Sequence, residues 1–475
     1  MAEILLVHPR VSERSFGGMP PLGFAWIAAY LEKNGYNVDI FDLQVYSGSI
    51  EEVIRNSKPR IVGITGTSNT RFMSFDIART ARKIDENIFT VYGGAHATFT
   101  AKDTLENLPE IDAVVSGEGE ETMLEIAEAV LRGKTSLSDI TGLSYRKNGT
   151  IIHNPVRPRI RALESLPLPA RHLMNMKDYD LKMDFLDISG ASVMTSRGCP
   201  INCSYCSASA MFGKTLSLRS AKNVVDEIEI LLTDYEAKGI KFFDSTLTLK
   251  RGHINSLCDE IMRRRLKFPW ECEIRVNTVS RDLLKMMKEA GCYYVDFGVE
   301  SASPGVLKAM RKGITIDQVI DVFHWTKDLG ILTKVFFTFG HIQETLEDAM
   351  ATLDFIDKHN KYITSPGIGV GIKIYPGTQV ERYAYEIGCL DAGFSWAVPY
   401  HSKEAEFMSG EPNVPLLIQP QMGFKELRKV RYQLLKKRLK DPIGIFKSIK
   451  DAWSKDNLKK VWTIAKGMIQ TRFSN

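Results

Sequence analysis

The sequence predicts an α/β protein made of two alternating series: a doubly wound open sheet, then a partial (β/α)6 barrel, with a helical C-terminal tail. Three observations carry that prediction. Short Val/Ile-rich runs alternate with amphipathic runs of helical length, the pattern of parallel strands covered by helices. The alternation breaks once, around residues 141–179, and then resumes. Finally, 475 residues are too many for one core, given roughly 100–200 residues per domain.

In the first series the strands are expected at 4–7, 38–41, 61–64, 90–92 and 113–115, and helices at 22–34, 74–84 and 120–131. The break reads as a hairpin turning at Asn148-Gly149, followed by the extended Leu166-Pro167-Leu168-Pro169. The second series places strands at 192–196, 240–243, 273–276, 294–298, 333–339 and 369–374. Its helices fall at 221–235, 253–265, 281–290, 316–329 and 344–358. A full eight-unit barrel needs about 250 residues, and this series is too short for one. After Gly410 the rhythm stops. The expected domains are 1–140, a linker with a small hairpin at 141–188, the barrel at 189–400 and a basic, mainly helical region at 401–475.

Composition narrows the function classes. Hydrophobic residues at 44% and charged residues at 25% exclude a disordered or fibrous chain. No apolar run approaches ~18 residues, so no transmembrane helix is expected. The start, MAEILLVHPR, has neither a basic leader nor a small-residue cleavage site, which makes the cytoplasm the expected compartment. The charge is uneven: residues 425–475 hold 15 basic and 4 acidic side chains, while the remainder is mildly acidic. Of seven cysteines, three crowd into eight residues, which suits a metal site in a reducing compartment better than disulfides.

Those three stand in Ser196-Arg197-Gly198-Cys199-Pro200-Ile201-Asn202-Cys203-Ser204-Tyr205-Cys206, a Cys-x3-Cys-x2-Cys spacing. Three thiolates on one loop can hold three irons of a [4Fe–4S] cluster and leave the fourth open to chelate a small molecule. Structural zinc wants four ligands in paired Cys-x2–4-Cys halves. No fourth Cys or His lies nearby, and Cys258, Cys272, Cys292 and Cys389 are dispersed, so the cluster is the better reading.

With the aromatic Tyr205 before the last cysteine, this loop resembles the signature of the radical S-adenosylmethionine (SAM) superfamily, and the likeness runs over about residues 190–378. The resemblance implies roles for residues at the C-terminal ends of the expected strands. Asp244 and Ser245, in Lys241-Phe242-Phe243-Asp244-Ser245-Thr246, match the strand end that receives the SAM amino group. Arg275 lies in a segment like the third strand. Glu300 and Ser301 match residues that face the ribose and carboxylate, and Tyr375 stands near the expected adenine. After the fifth strand, Gly340-His341-Ile342-Gln343-Glu344 departs from a Gly-x-Pro-Gly-Glu turn and makes His341 a candidate substrate-facing residue.

In the first series three Gly-rich loops follow strands on one sheet edge, where open α/β sheets bind ligands. They contain Thr67 and Ser68; Gly93, Gly94 and His96; and Gly117, Glu118 and Gly119. Neither Gly-x-Gly-x-x-Gly nor a Walker loop is present, which weakens a nucleotide-binding reading. The loops are similar to those of the Rossmann-like cobalamin-binding domain in the B12-dependent radical SAM subfamily. An Asp-x-His-x-x-Gly motif, whose His ligates cobalt elsewhere, is absent. The expectation is a cobalt without a lower His, with His96 lining the corrin.

The resemblance implies a division of labour. The cluster passes an electron to SAM, a 5′-deoxyadenosyl radical abstracts hydrogen from an unactivated carbon, and methylcobalamin supplies a methyl group to carbon or phosphorus. Some relatives carry out cyclisation, ring contraction or oxidation instead, and a cobalamin-binding sensor without catalysis is a third alternative. The expected partners are a small-molecule substrate, lipid-like or otherwise hydrophobic, and a reductant such as ferredoxin or flavodoxin. In the tail, Ile445, Ile449 and Trp453, then Leu458, Val461, Trp462, Ala465 and Ile469, form stripes of helical period among lysines. Such a tail can pack on the barrel or lie peripherally on an anionic membrane at its inner face. No nucleic-acid reading motif accompanies the charge.

Overall fold

Apolar strands joined by helices can bury both faces only as a parallel sheet with helices on either side. The computed structural model, which describes residues 2–10, 18–46 and 48–439, has that arrangement in its first series. The elements are β1 (Ile4–His8), α1 (Leu22–Lys33), β2 (Val38–Asp42), α2 (Ile50–Ser57), β3 (Ile61–Thr65), α3 (Arg71–Ile84), β4 (Phe89–Gly93), α4 (Ala97–Asn107), β5 (Ala113–Val115) and α5 (Glu120–Arg132). The hairpin β6 (Leu143–Lys147) and β7 (Thr150–His153) follows. In β1, Ile4 and Leu6 enter one hydrophobic cluster while Leu5 and Val7 enter another, so each face is covered.

The strand order is β2-β1-β3-β4-β5-β6-β7, parallel except for the last two strands. The order reverses between β1 and β3, which opens a crevice at their C-terminal ends. The hairpin turns at Asn148 and Gly149, both at positive φ (49° and 78°), as a two-residue turn of this kind demands. It does more than link: β6 pairs antiparallel with β5 and extends the first sheet. Helices α2 and α4 were not anticipated. In α4, four threonines and asparagines over eleven residues blur the periodicity, and Thr100 leaves helical φ/ψ.

The second series comprises β8 (Gly190–Val193), β9 (Ser196–Arg197), α6 (Ala208–Phe212), β10 (Ser217–Leu218), α7 (Ala221–Thr233), β11 (Gly239–Phe242), α8 (Arg251–Arg263), β12 (Trp270–Glu273) and α9 (Arg281–Glu289). It continues with β13 (Cys292–Glu300), α10 (Pro304–Ala309), α11 (Ile316–Asp328), β14 (Leu332–Phe339), α12 (Leu346–His359) and β15 (Ser365–Val370). Then come α13 (Gln379–Glu386), α14 (Lys403–Ser409) and α15 (Phe424–Leu439). Six parallel strands run in the order β8-β11-β12-β13-β14-β15. Right-handed crossovers between sequential neighbours put helices α7 to α12 on one face, which leaves the other face as the lumen of a partial barrel. Strand β13 shows the division: Val295, Phe297 and Val299 join the helix-side core, and the alternate residues Tyr294, Asp296 and Gly298 face the lumen.

Several strand boundaries differ from expectation, and two have a clear local cause. Strand β12 ends at Glu273, because residues 276–278 turn into a 3-10 helix. Strand β15 ends at Val370, because Gly371 turns at φ +91° and the following residues pair with 415–417 instead. The tail stripes at 445–469 lie outside the described residues.

Candidate functional site

The expected strand at 192–196 divides into β8 and β9, and the division positions the cysteine loop. Asp244, at the end of β11, is buried and its carboxylate accepts from the Thr195 amide (3.1 Å), the Thr195 hydroxyl (2.9 Å) and the Ser196 hydroxyl. Thr195 is thereby withdrawn from the ladder, and its hydroxyl also meets His253 Nε2 at 2.8 Å. Gly198 follows at φ +106°, with the Thr215 carbonyl where a Cβ would project, so only glycine fits.

Cys199, Cys203 and Cys206 are free thiols on the loop that follows, Cys203 buried and the others half-buried. Burial pushes the Cys199 and Cys206 thiols up. The amides of Ile201 and Ala208 act against that, as does Lys312, with Arg275 also opposing it at Cys199. Amides and cations trained on neighbouring thiols are the surroundings a thiolate-bound cluster requires. Among the described residues no group of three His, Cys, Asp or Glu side chains converges to hold a single ion. A four-iron cluster asks for something else, one thiolate on each of three irons.

Behind the loop lies a continuous polar network. Strand β13 bulges at its end, and Glu300 takes φ +67°, which re-aims its carboxylate. One oxygen accepts from the Tyr205 hydroxyl and from Lys312 Nζ (3.0 Å each), the other from Thr338 (2.7 Å). Burial raises the Glu300 carboxyl, but Lys312, Thr338 and His341 outweigh it, so the group stays below the usual carboxylate range. His341 Nε2 lies 2.6 Å from the Thr338 hydroxyl, its ring meets Tyr205 edge-on, and its Nδ1 is buried without a partner. Burial holds this imidazole neutral, at about 4. The departure at 340–344 keeps its carboxylate: Glu344 accepts from the amides of Gly340 and His341.

The other expected SAM-facing residues divide. Arg275 donates to Asn277 and acts on Cys199. Ser245 is exposed on the loop after β11. Ser301 is fully buried behind β13, where it meets Thr352 and accepts from the Ser303 amide. Tyr375 lines a cavity of about 310 Å³ between the two domains, together with Thr67, Ser68, His96 and Ser207. In that cavity wall His96 is buried, with Nδ1 at 3.0 Å from the Ser68 hydroxyl and Nε2 unpartnered. Burial, and then Arg71, push its pKa down to about 3.

A second cavity, of about 270 Å³, opens at the switch point of the first sheet. His8 and Thr65 line it from β1 and β3, and Gly93, Gly94, Gly117, Glu118 and Gly119 from the loops beyond. A Cβ on Gly117 would meet nothing within 4 Å and would project into this space. The crevice therefore has the bare-backbone walls that a bulky flat ligand needs. Arg197, Met194 and Phe212 close it from the barrel side.

Sequence reasoning gave no role to Arg197, although it stands inside the quoted motif, and none to Lys312, Thr338 or Trp26. Lys312 carries no local signal: it reaches Glu300 from the turn after α10, a contact made only by the fold.

Family comparisons agree with this two-part geometry. The B12 binding domain family matches residues 12–127 and the Radical SAM superfamily matches residues 193–356. Over 77% of its length the chain is 38% identical to an uncharacterized methyltransferase of Pyrococcus horikoshii, of which it covers 78%. The chain belongs to the B12-binding radical SAM family. It is also 30% identical, over 72% of its length, to the anaerobic magnesium-protoporphyrin IX monomethyl ester cyclase of Rubrivivax gelatinosus, and spans 63% of that protein. Its fold is shared with the methyltransferase TsrM of Kitasatospora setae, solved with cobalamin and a [4Fe–4S] cluster bound. The TM-score is 0.68 at 22% identity, covering 81% of this chain and 79% of that one. As a B12-binding radical SAM enzyme, the protein uses a [4Fe–4S] cluster, SAM and cobalamin.

Proposed function

We propose that the enzyme methylates an unactivated carbon, or a phosphorus centre, of a small hydrophobic molecule. The observation that carries this reading is the juxtaposition of the cysteine loop with the Gly-rich loops of the first sheet, which meet around the two cavities. When bound, the cluster and SAM supply a hydrogen-abstracting radical and the cobalamin a transferable methyl group. The chain's own residues orient and enclose. Cys199, Cys203 and Cys206 hold the cluster; Tyr205, Arg275 and Glu300 face SAM, with Ser245 and Tyr375 at the rim. Asp244 and Ser301 act from behind, by fixing the strand ends.

On the cobalamin side, Gly93, Gly94, Gly117, Glu118 and Gly119 form the bed at the switch point, and Thr67 and Ser68 would meet the cofactor from the neighbouring cavity. His96, neutral and with Nε2 unpartnered, would line the corrin from the neighbouring cavity. Because the Asp-x-His-x-x-Gly motif is absent, the cobalt(II) spectrum should lack imidazole nitrogen splitting. His341 is the candidate substrate-facing group.

The test is a mass comparison of substrate pools from cells with and without the gene, followed by assay of the purified anaerobic enzyme. A product heavier by one CH2 unit supports methyl transfer. Loss of hydrogens or ring formation supports the second reading, non-methylating chemistry, which the likeness to the cyclase favours. Ferredoxin or flavodoxin is the proposed electron donor. No helix among the described residues is long and apolar enough to cross a membrane. The proposed membrane contact is instead peripheral, through the basic tail at the inner face, and predicts tail-dependent sedimentation with anionic liposomes at low salt.

A further inference from the structure

Arg197 belongs to the barrel but spends its guanidinium on the cobalamin domain. One nitrogen lies 2.8 Å from Glu118 Oε1 and another 2.6 Å from Glu120 Oε1, both across the domain boundary. All three side chains are at most 6% exposed. The guanidinium also sits 4.7 Å from the centre of the Trp26 ring on α1. The second Glu118 oxygen accepts from the Ile160 amide at 2.7 Å, and the Arg197 carbonyl accepts from Arg159 at 3.0 Å, so both ends of the bridge are anchored. Burial opposes the charge on Arg197, and the two carboxylates more than restore it.

Each end of this bridge abuts a cofactor region. Glu118 lies between Gly117 (φ +87°) and Gly119, the residues that wall the crevice at the switch point. Arg197 is two residues from Cys199, with Gly198 between them. A planar guanidinium held by two carboxylates fixes direction as well as distance. Buried, the three groups move together, because separating them would leave charges uncompensated. A ligand that reshapes the Gly117–Gly119 backbone must therefore drag Arg197, and with it the start of the cysteine loop.

We propose that Arg197 is a positioning residue through which filling of the cobalamin crevice sets the cluster loop, so that SAM binds more tightly when cobalamin is present. The effect is reciprocal, since coupling between two sites acts equally on both ligands. It holds whichever group is transferred, so it stands or falls separately from methyl transfer.

The experiment uses full-length, cluster-reconstituted, anaerobic protein with the cluster oxidised, so that SAM binds without being cleaved. SAM affinity is measured by equilibrium dialysis with and without hydroxocobalamin. In the wild type cobalamin should tighten SAM binding by about fivefold or more. In Arg197→Gln that ratio should fall to within about twofold, while each ligand still binds, and Arg197→Lys should recover part of it. The spectrum of the reduced cluster should change on adding cob(II)alamin, which does not oxidise the cluster, in the wild type and not in Arg197→Gln. If Arg197→Gln fails to fold, Glu120→Gln, which removes the charge of one arm, should lower the ratio. A wild-type ratio near one overturns the proposal. So does an unchanged ratio in the variants, even with both affinities weakened, since that marks a purely structural role.

Discussion

At Glu300 a non-glycine residue holds φ +67°, a conformation that costs about 1–3 kcal/mol. The bulge is retained because it turns one carboxylate toward Tyr205, Lys312 and Thr338 at once. Glu344 shows the opposite balance. Burial pushes its carboxyl up to about 7, and the two amides it accepts from offset only part of that. A folded-state pKa above the ordinary 4.5 means that the native state takes up this proton first. Its contribution to stability is therefore complete below about pH 4.5 and declines as pH rises through 7, by up to about 3 kcal/mol. Glu344→Gln, which still accepts from the amides, should flatten the melting temperature between pH 5 and 7.5 relative to wild type, as thermal melts of the two proteins will show. Replacing Cys203 by Ala acts on a different observable. Iron content and SAM cleavage should be lost while the 475-residue protein still binds cobalamin, and a variant with full iron content would refute the ligand assignment.

At the scale of elements, the loop after β5 carries the clearest expectation. Gly117 stands at φ +87° beside open space, so Gly117→Val is both strained and intrusive. Cobalamin affinity should fall at least tenfold by absorbance titration, with cluster content unchanged. Loops like this one were legible in sequence because glycine at a strand end has few other uses. The cysteine loop was legible for a similar reason, since its spacing is a ligand pattern in itself. Other assignments depended on direction, which sequence period does not settle. Asp244 was expected to face SAM, and its oxygens are taken by Thr195 and Ser196. Ser301 follows Glu300 immediately, and strand alternation alone sends its side chain to the opposite side of β13, against Thr352. Lys312, Thr338 and Arg197 reach their partners only through contacts distant in the chain, and no local periodicity marks them.

On the scale of the whole molecule, the two domains are fastened by more than Arg197. Arg71 on α3 is fully buried and donates to three carbonyls: Trp396 (2.8 Å), Asn413 (2.7 Å) and Ser68 of its own loop. Asp103 on α4 accepts from Ser395 (2.7 Å) and from the Ala397 amide (2.9 Å), and Trp396 meets the His96 ring edge-on. Arg71→Met keeps the bulk but strands those carbonyls, at about 1–3 kcal/mol for each buried one. The melting temperature should drop by several degrees, and cobalamin should bind more weakly because the Ser68–His96 wall loses its backing. A variant that melts with the wild type would show that the strap at 395–413 is not a fastener.

The same strap has a consequence for biosynthesis. Arg71 and its acceptor at Asn413 lie 342 positions apart in the chain. At roughly 5–20 residues per second, the ribosome makes the second about 20–70 s after the first. For the later part of that interval the first sheet is complete while the Trp396 and Asn413 acceptors of Arg71 are still unmade and the His96 face is uncovered. Cobalamin supplied during translation meets the His96 side of the domain boundary open, whereas cobalamin supplied afterwards meets it already strapped. The yield of cofactor-loaded enzyme should then depend on when the vitamin is present during expression as well as on how much is added.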